Sequence, residues 1–101
     1  MSKAELKKIA KKYADCLRES NFKFFKIIIF GSQVKQKANK YSDIDVAIVS
    51  DDLKKWRNRL MLWRAGRKVD GRIEPHGFTV KQFADKNNFF ANEIKKTGIK
   101  I

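Results

Sequence analysis

Cysteine, proline and histidine are nearly absent from this sequence, whose 101 residues include one of each. Cys16 therefore cannot form an intramolecular disulfide, and no second cysteine or histidine stands near it to indicate a metal site. We interpret Cys16 as a structural residue of a helix. Apolar runs such as Ile27 to Phe30 fall far short of the roughly 20 residues of a transmembrane helix, so we expect no membrane-spanning segment.

Acidic residues are scarce as well. The chain has 24 Lys and Arg residues against 11 Asp and Glu residues, a formal net charge of +13. Such a charge attracts polyanions or an acidic protein partner, but lysines on the exposed faces of helices also favour solubility, so charge alone does not separate these roles. Because the N-terminal stretch lacks the apolar centre of a signal peptide, we expect a cytoplasmic protein.

The length of the chain predicts a single domain over residues 1–101, with no room for a separate substrate domain. Its hydrophobic periodicity predicts an α/β unit in the order helix, strand, strand, helix, strand, helices, strand. The predicted helices are Lys3 to Glu19, one from Ser50 or Asp51 to Gly66, one beginning at Thr79 and one from Asn88 to Gly98. The predicted strands are Lys26 to Phe30, Asp43 to Val49, Val69 to Pro75 and Ile99 to Ile101.

Several aromatic residues and the histidine fit either packing or function. Trp56 and Trp63 fall on the apolar face of the second predicted helix, where we expect core or interface positions. Phe89 and Phe90 can stack on a nucleotide base, but adjacent aromatics that open a helix more often pack, and we favour packing. His76 follows the third predicted strand directly after a proline, so we interpret it as a turn residue outside the catalytic set.

Two acidic residues stand at the start of the second predicted strand. Residues two apart on a strand point to the same side, so Asp43 and Asp45 project together while Ile44 points into the opposite layer. Two neighbouring carboxylates repel each other and are tolerated together where a divalent cation neutralises them. Paired carboxylate oxygens with open coordination positions favour Mg²⁺ bound jointly with substrate phosphates.

A glycine and a serine precede these acids, with ten residues between the two motifs. Gly31 lets the backbone approach a phosphate closely, and the Ser32 hydroxyl with neighbouring N–H groups can donate hydrogen bonds to phosphate oxygens. The sequence therefore predicts an anion site, formed by a strand and a turn, that faces a cation site formed by two carboxylates.

This combination of Gly-Ser, ten residues and Asp-x-Asp resembles the signature of the nucleotidyltransferase superfamily related to DNA polymerase β. The chain length and the ending from Glu93 to Ile99 are similar to those of the small bacterial and archaeal members called minimal nucleotidyltransferases. The resemblance implies the nucleotidyltransferase fold, in which a small mixed β-sheet of about four strands is flanked by helices.

The superfamily uses a third carboxylate from a neighbouring strand. Glu74, in the sequence Ile-Glu-Pro, is similar to the family pattern at this position. Asp70 shares a predicted strand face with Glu74 at period two and is the alternative. The resemblance thus implies that Asp43, Asp45 and Glu74 are the catalytic and metal-binding residues.

The resemblance also implies which residues bind the nucleotide, namely Gly31, Ser32 and Lys35. Relatives often carry a basic residue followed by a glycine soon after Gly-Ser. Lys35 matches the basic position and suits a phosphate contact, since a mobile ammonium group is a point charge. Gln36 replaces the glycine, which is a departure from the family pattern.

The activity implied by the resemblance is transfer of a nucleoside monophosphate to a hydroxyl group. The donor would be ATP, which supplies AMP, or another nucleoside triphosphate, and two Mg²⁺ ions would take part in the reaction. The implied acceptor is a helical HEPN-type partner protein, which would make the chain the antitoxin of a toxin–antitoxin pair. The alternatives are a non-catalytic module that masks a partner by contact, and a nucleic-acid-binding or end-modifying protein. The small size also allows a homodimer or a hetero-oligomer.

Overall fold

The computed structural model describes residues 1–35 and 42–101, and within these ranges it has four α-helices and four β-strands. The helices are α1 (Lys3–Glu19), α2 (Trp56–Val69), α3 (Val80–Ala84) and α4 (Phe89–Thr97), and a 3-10 helix spans Asp51–Lys54. The strands are β1 (Lys26–Phe30), β2 (Ile44–Val49), β3 (Ile73–Phe78) and β4 (Ile99–Lys100). The predicted elements at both ends of the chain are confirmed, whereas the middle of the chain differs.

The four strands form one mixed sheet in the order β3-β2-β1-β4. β1 pairs antiparallel with β2 and with β4, whereas β2 and β3 are parallel. Parallel neighbours need a crossover connection, and α2 provides it between β2 and β3. This arrangement confirms the predicted α/β fold with a small mixed sheet and flanking helices.

Alternate residues of the sheet enter two separate hydrophobic cores. On β2, Ile44, Val46 and Ile48 pack in the core that includes α1 and α2. Ala47 and Val49 pack in the core that includes α3 and α4. Both faces of this central strand are therefore covered, which explains the nearly continuous apolar sequence of β2. The burial of Ile44 confirms the prediction that its side chain points into the layer opposite the acids.

The third strand lies further along the chain than predicted. We expected a helix end at Gly66 and a strand from Val69 to Pro75, but α2 continues to Val69 and β3 extends to Phe78. Gly66 is a close-packing position instead of a stop, because a Cβ there would lie 3.3 Å from Ile73 Cγ2. Pro75 is tolerated inside β3 because β3 is an edge strand of the sheet.

The second predicted helix is divided, and its tryptophans are not in the core. Ser50 caps the 3-10 helix by accepting a hydrogen bond from the Asp52 N–H, and α2 begins only at Trp56. Trp56 is 72% exposed and Trp63 is 42% exposed. The expectation of a core position for these tryptophans was therefore wrong, since α2 buries the face that carries Leu62. An interface role for the tryptophans stays a prediction.

Two smaller expectations concern the helices. Cys16 lies half-buried on α1 and packs against the first core, which fits a structural residue. No helix in the described ranges has the length and apolar character needed to cross a lipid bilayer.

The two helices of the first core are joined by a buried hydrogen bond. The Tyr13 side chain is fully buried, and its hydroxyl donates to the Leu62 carbonyl oxygen at 2.9 Å. Burial raises the pKa of the Tyr13 hydroxyl, so this group remains a protonated donor. The bond therefore ties α1 to the helix that positions β3.

We predict that Tyr13→Phe lowers the free energy of unfolding by about 1 kcal/mol, because the substitution removes the donor and keeps the packed ring. Urea denaturation followed by circular dichroism measures the change. Lys12→Ala, at an exposed position of the same helix, is the control and should change the free energy by less than about 0.5 kcal/mol. Equal effects of the two substitutions would contradict the proposed importance of this bond.

Candidate active site

One row of residues across the sheet carries the predicted acids. Asp45 on β2 is in register with Phe30 on β1 and with Glu74 on β3. Because parallel β2 and β3 place these two carboxylates side by side, the register brings together residues that are far apart in sequence. Their side chains are partly exposed, at 22% for Asp45 and 40% for Glu74, so solvent and ligands reach them.

Asp43 lies one residue before β2 and is exposed. A hydrogen bond with the Asp43 carboxyl raises the pKa of Glu74, and burial and the negative charge of Asp45 raise it further. Glu74 thus interacts with both members of the Asp-x-Asp motif. The three carboxylates that the sequence analysis selected therefore lie close together, and the hydrogen bond with Asp43 is the main reason that the pKa of Glu74 is raised.

Asp70, the alternative third carboxylate, is held elsewhere. It follows the last residue of α2, where its Oδ2 lies 2.8 Å from Arg72 Nη2 and its Oδ1 accepts a hydrogen bond from the Arg72 backbone N–H at 2.9 Å. These contacts with Arg72 lower the pKa of the Asp70 carboxyl. The predicted strand face that Asp70 would share with Glu74 is also absent, because β3 begins at Ile73. The geometry therefore favours Glu74.

His76 is a site residue that the sequence analysis missed. It lies on β3, two residues after Glu74, with its Nε2 3.1 Å from Asp45 Oδ1 and 4.0 Å from Glu74 Oε1. Its interpretation as a turn residue was wrong because the strand continues past Pro75. The available signal was the period of two from Glu74 to His76, which places both side chains on one face of a strand.

Aromatic rings surround the imidazole of His76. Its ring centroid lies 5.1 Å from that of Phe30 and 5.7 Å from that of Phe90, and both pairs have edge-to-face geometry. Phe30 and Phe90 also contact each other, with centroids 5.4 Å apart. Phe90 therefore packs against neighbouring rings as expected, although it is 45% exposed, whereas the packing role expected for Phe89 was wrong because Phe89 is 86% exposed.

The Gly31 turn lies directly against Asp45. Gly31 has a φ of +82°, which L side chains rarely adopt, and a Cβ at this position would overlap Asp45 Oδ2. The turn continues with a hydrogen bond from the Lys35 N–H to the Gly31 carbonyl oxygen at 3.2 Å, and Ser32 and Lys35 are exposed. The predicted anion turn is therefore adjacent to the predicted cation ligands.

Gln33 is a second residue that the sequence analysis did not select. Its side chain is 3% exposed, and its Nε2 donates to the Ser42 carbonyl oxygen at 3.0 Å. This bond joins the Gly31 turn to the residue before Asp43. Gln36, the departure from the family pattern, lies outside the described residues.

The carboxylates and the imidazole form a set of atoms suited to a metal ion. Asp45, Glu74 and His76 each offer one ligand atom, and these atoms lie within 4.8 Å of one another. Carboxylate oxygens are ligands that Mg²⁺ and Mn²⁺ prefer. The hydrogen bond with Asp43, burial and the negative charge of Asp45 raise the pKa of Glu74, and a bound cation would neutralise the neighbouring carboxylates, so these residues fit a divalent metal.

Comparison with known families agrees with this geometry. The sequence matches the family described as "Polymerase beta, Nucleotidyltransferase" over residues 5–101. This chain belongs to that family. The match spans α1 from Glu5 onward, the other helices, the whole sheet and all the site residues described above, and it supports assignment of the chain to the nucleotidyltransferase class.

A search of solved structures identifies a chain with the same fold. It comes from a structure described as "Crystal structure of the toxin-antitoxin with AMP-PNP" and has a TM-score of 0.67 with 20% sequence identity. The alignment covers 90% of the present chain and 70% of that chain. At this identity the similarity establishes the fold alone. The comparison with curated proteins finds no match.

We predict that Gly31→Ala lowers the free energy of unfolding by at least about 1 kcal/mol, because the added Cβ is strained at positive φ and overlaps the Asp45 carboxylate. Urea denaturation measures the loss. Gly71→Ala is a matched control, since the nearest atom to its Cβ would be Arg67 Nη1 at 3.9 Å, an ordinary contact. A loss of the same size in Gly71→Ala would show that the effect is not specific to the turn.

Proposed function

We propose that this protein transfers AMP from ATP to a hydroxyl group of a partner protein in a reaction that depends on Mg²⁺. The observation that carries the proposal is the convergence of Asp45 and Glu74 beside the Gly31 turn, in a chain of the nucleotidyltransferase family. A cation site and an anion site side by side are what a bound metal–triphosphate complex requires.

Asp43, Asp45 and Glu74 are the residues that would hold the metal. When bound, Mg²⁺ neutralises phosphate charge and lowers the pKa of the attacking hydroxyl. Asp45 is fixed by its place on a central strand and by the His76 contact, whereas the exposed Asp43 can adjust to a ligand. The partial exposure of Glu74 leaves an open side toward solvent, from which an acceptor can approach.

The residues of the turn would hold the triphosphate. Gly31 has no Cβ, which lets the backbone lie close to both Asp45 and a phosphate. The exposed Ser32 hydroxyl can donate to a phosphate oxygen, and the exposed Lys35 supplies a positive charge. Gln33 holds this turn against the residue that precedes Asp43, so the phosphate and metal ligands keep a fixed relation.

The surface of α2 supports a protein as the partner. Trp56, Leu60 and Trp63 are spaced on one helical face and are exposed. The helix sequence contains arginines and a lysine but no acidic residue. Exposed tryptophans among arginines are typical of protein interfaces. Nucleic-acid bases stack on aromatic rings and gain little from an aliphatic side chain. The aliphatic Leu60 between the tryptophans therefore favours a protein partner over nucleic acid. The matching partner surface is acidic with apolar pockets.

The similarity to a toxin–antitoxin structure that contains AMP-PNP supports both an adenine nucleotide and a partner protein. We therefore propose that the chain is an antitoxin and that its acceptor is a helical HEPN-type toxin. The second candidate function is a non-catalytic module that masks such a partner by contact, and the exposed α2 face favours it. Substitutions of the carboxylates distinguish the two functions, because only catalysis requires these residues.

We predict that Asp45→Asn and Glu74→Gln each reduce labelling of the partner by at least about 100-fold, because each removes a metal ligand. The assay uses ATP labelled at the α-phosphate, Mg²⁺ and the helical protein that co-purifies with the chain. Asp70→Asn is the matched control, because Asp70 pairs with Arg72, and it should retain labelling within about threefold.

Two results would contradict this assignment. Labelling that persists in Asp45→Asn and Glu74→Gln would mean that these carboxylates are not the site. Protection of cells by the same variants, without labelling of the toxin, would favour the non-catalytic module.

We also predict that the double substitution Trp56→Ser with Trp63→Ser weakens partner binding by at least about 30-fold, because buried tryptophans carry much of the energy of an interface. Isothermal titration calorimetry with the co-purifying protein measures the affinity. Phe25→Ser removes an aromatic residue that is 67% exposed and directly precedes β1, and it is the control, with affinity expected to change by less than about threefold. An equal loss in the control would argue against α2 as the contact surface.

A further inference from the structure

We propose that His76 is a direct ligand of the divalent cation at this site and that its imidazole makes the site bind Mn²⁺ more tightly than Mg²⁺, the ion of the proposed reaction. The inference rests on the metal site of the proposed function and deepens it, because it assigns a nitrogen ligand and a cation preference. It follows from where β3 places the ring relative to Asp45 and Glu74.

The distances around His76 match those between ligands of one metal ion. Two ligand atoms that are each about 2.1 Å from an octahedral metal lie about 3.0 Å apart in adjacent positions and about 4.2 Å apart in opposite positions. His76 Nε2 lies 3.1 Å from Asp45 Oδ1 and 4.0 Å from Glu74 Oε1. The three ligand atoms all lie within 4.8 Å of one another, so adjustment of the partly exposed side chains would let one ion contact all three.

The ring of His76 is held in this orientation from two sides. Phe30 on β1 and Phe90 on α4 both pack edge-to-face with the imidazole, and they also contact each other. Phe30 is itself 8% exposed and belongs to the second core, so the support is rigid. Because these contacts restrict the rotamers open to His76, less conformational entropy would be lost when a metal binds.

A bound ion would replace the hydrogen bond between His76 and Asp45. Nε2 can serve as a ligand only through its lone pair, so the neutral ring must carry its proton on Nδ1. Both partners of the present contact then face the metal. The side chain of His76 is 26% exposed, which leaves room for an ion to enter from solvent.

The nitrogen ligand determines the cation preference. Mg²⁺ strongly favours oxygen ligands, while first-row transition metals accept imidazole. Mn²⁺ also accepts carboxylates, so the mixed set of Asp45, Glu74 and His76 suits it better than it suits Mg²⁺. A site that had the carboxylates alone would discriminate less between the two ions.

The test compares the wild-type protein with His76→Gln and His76→Phe. Gln offers an amide near the position of Nε2 without an imidazole nitrogen, and Phe keeps an aromatic ring against Phe30 and Phe90 without any ligand. Isothermal titration calorimetry measures the affinities for Mn²⁺ and Mg²⁺ separately. We expect the ratio of Mn²⁺ to Mg²⁺ affinity to fall at least about tenfold in both variants.

Pulsed electron paramagnetic resonance of bound Mn²⁺ provides a readout that does not depend on activity. Coupling to a directly bonded ¹⁴N nucleus should be present in the wild type and lost in both variants. Absence of this coupling in the wild type, or an unchanged affinity ratio in variants that retain the wild-type circular dichroism spectrum, would overturn the proposal and leave His76 as a hydrogen-bond partner of Asp45.

The nitrogen coupling tests whether His76 is a ligand, and the labelling assay tests the proposed function, so the two can be contradicted separately. Nitrogen coupling in a protein that labels no partner would keep His76 as a ligand and count against nucleotide transfer. Labelling of the partner by a protein without nitrogen coupling would support nucleotide transfer and would show that His76 is not a ligand.

Discussion

The parallel register of β2 and β3 is the constraint on which the acidic site depends. The parallel pairing of β2 with β3 places Asp45 beside Glu74, and the pKa of Glu74 is raised by Asp43 and Asp45. Such an arrangement opposes folding unless packing elsewhere fixes it. The same register places Ile44 beside Ile73, and both are almost fully buried in the core under α1 and α2. Hydrophobic burial on one face of the sheet therefore holds the charges together on the other.

The helices support the acidic site in different ways. α2 provides the crossover that makes β2 and β3 parallel, and Gly66 lets it lie close to Ile73 at the start of β3. The Tyr13 hydroxyl ties α2 to α1. On the opposite face, α4 places Phe90 against His76 and so extends the second core up to the acidic site. The site is thus built on a sheet supported from both sides, which suits a group of ligands that must keep fixed distances.

Much of the fold could be predicted from local patterns. The helix over Lys3–Glu19 and the strand over Lys26–Phe30 were correct because their periodicity and end signals are strong. The predicted ends of the second helix and the third strand were wrong, because glycine commonly ends a helix and proline commonly ends a strand, and these rules were applied to Gly66 and Pro75. Tertiary packing overrides both rules, since Gly66 allows a close contact with Ile73 and an edge strand accepts Pro75.

The sequence by itself determined the acids and the turn, because the spacing of Gly31-Ser32 and Asp43-Ile44-Asp45 lies within one local segment. It also offered Glu74 as the third carboxylate, without separating it from Asp70. Only the tertiary structure decided that Glu74 meets Asp45, and that His76 faces the site. These outcomes depend on the parallel register of two strands joined through a helix, and such a register is fixed by side-chain burial that local patterns do not encode.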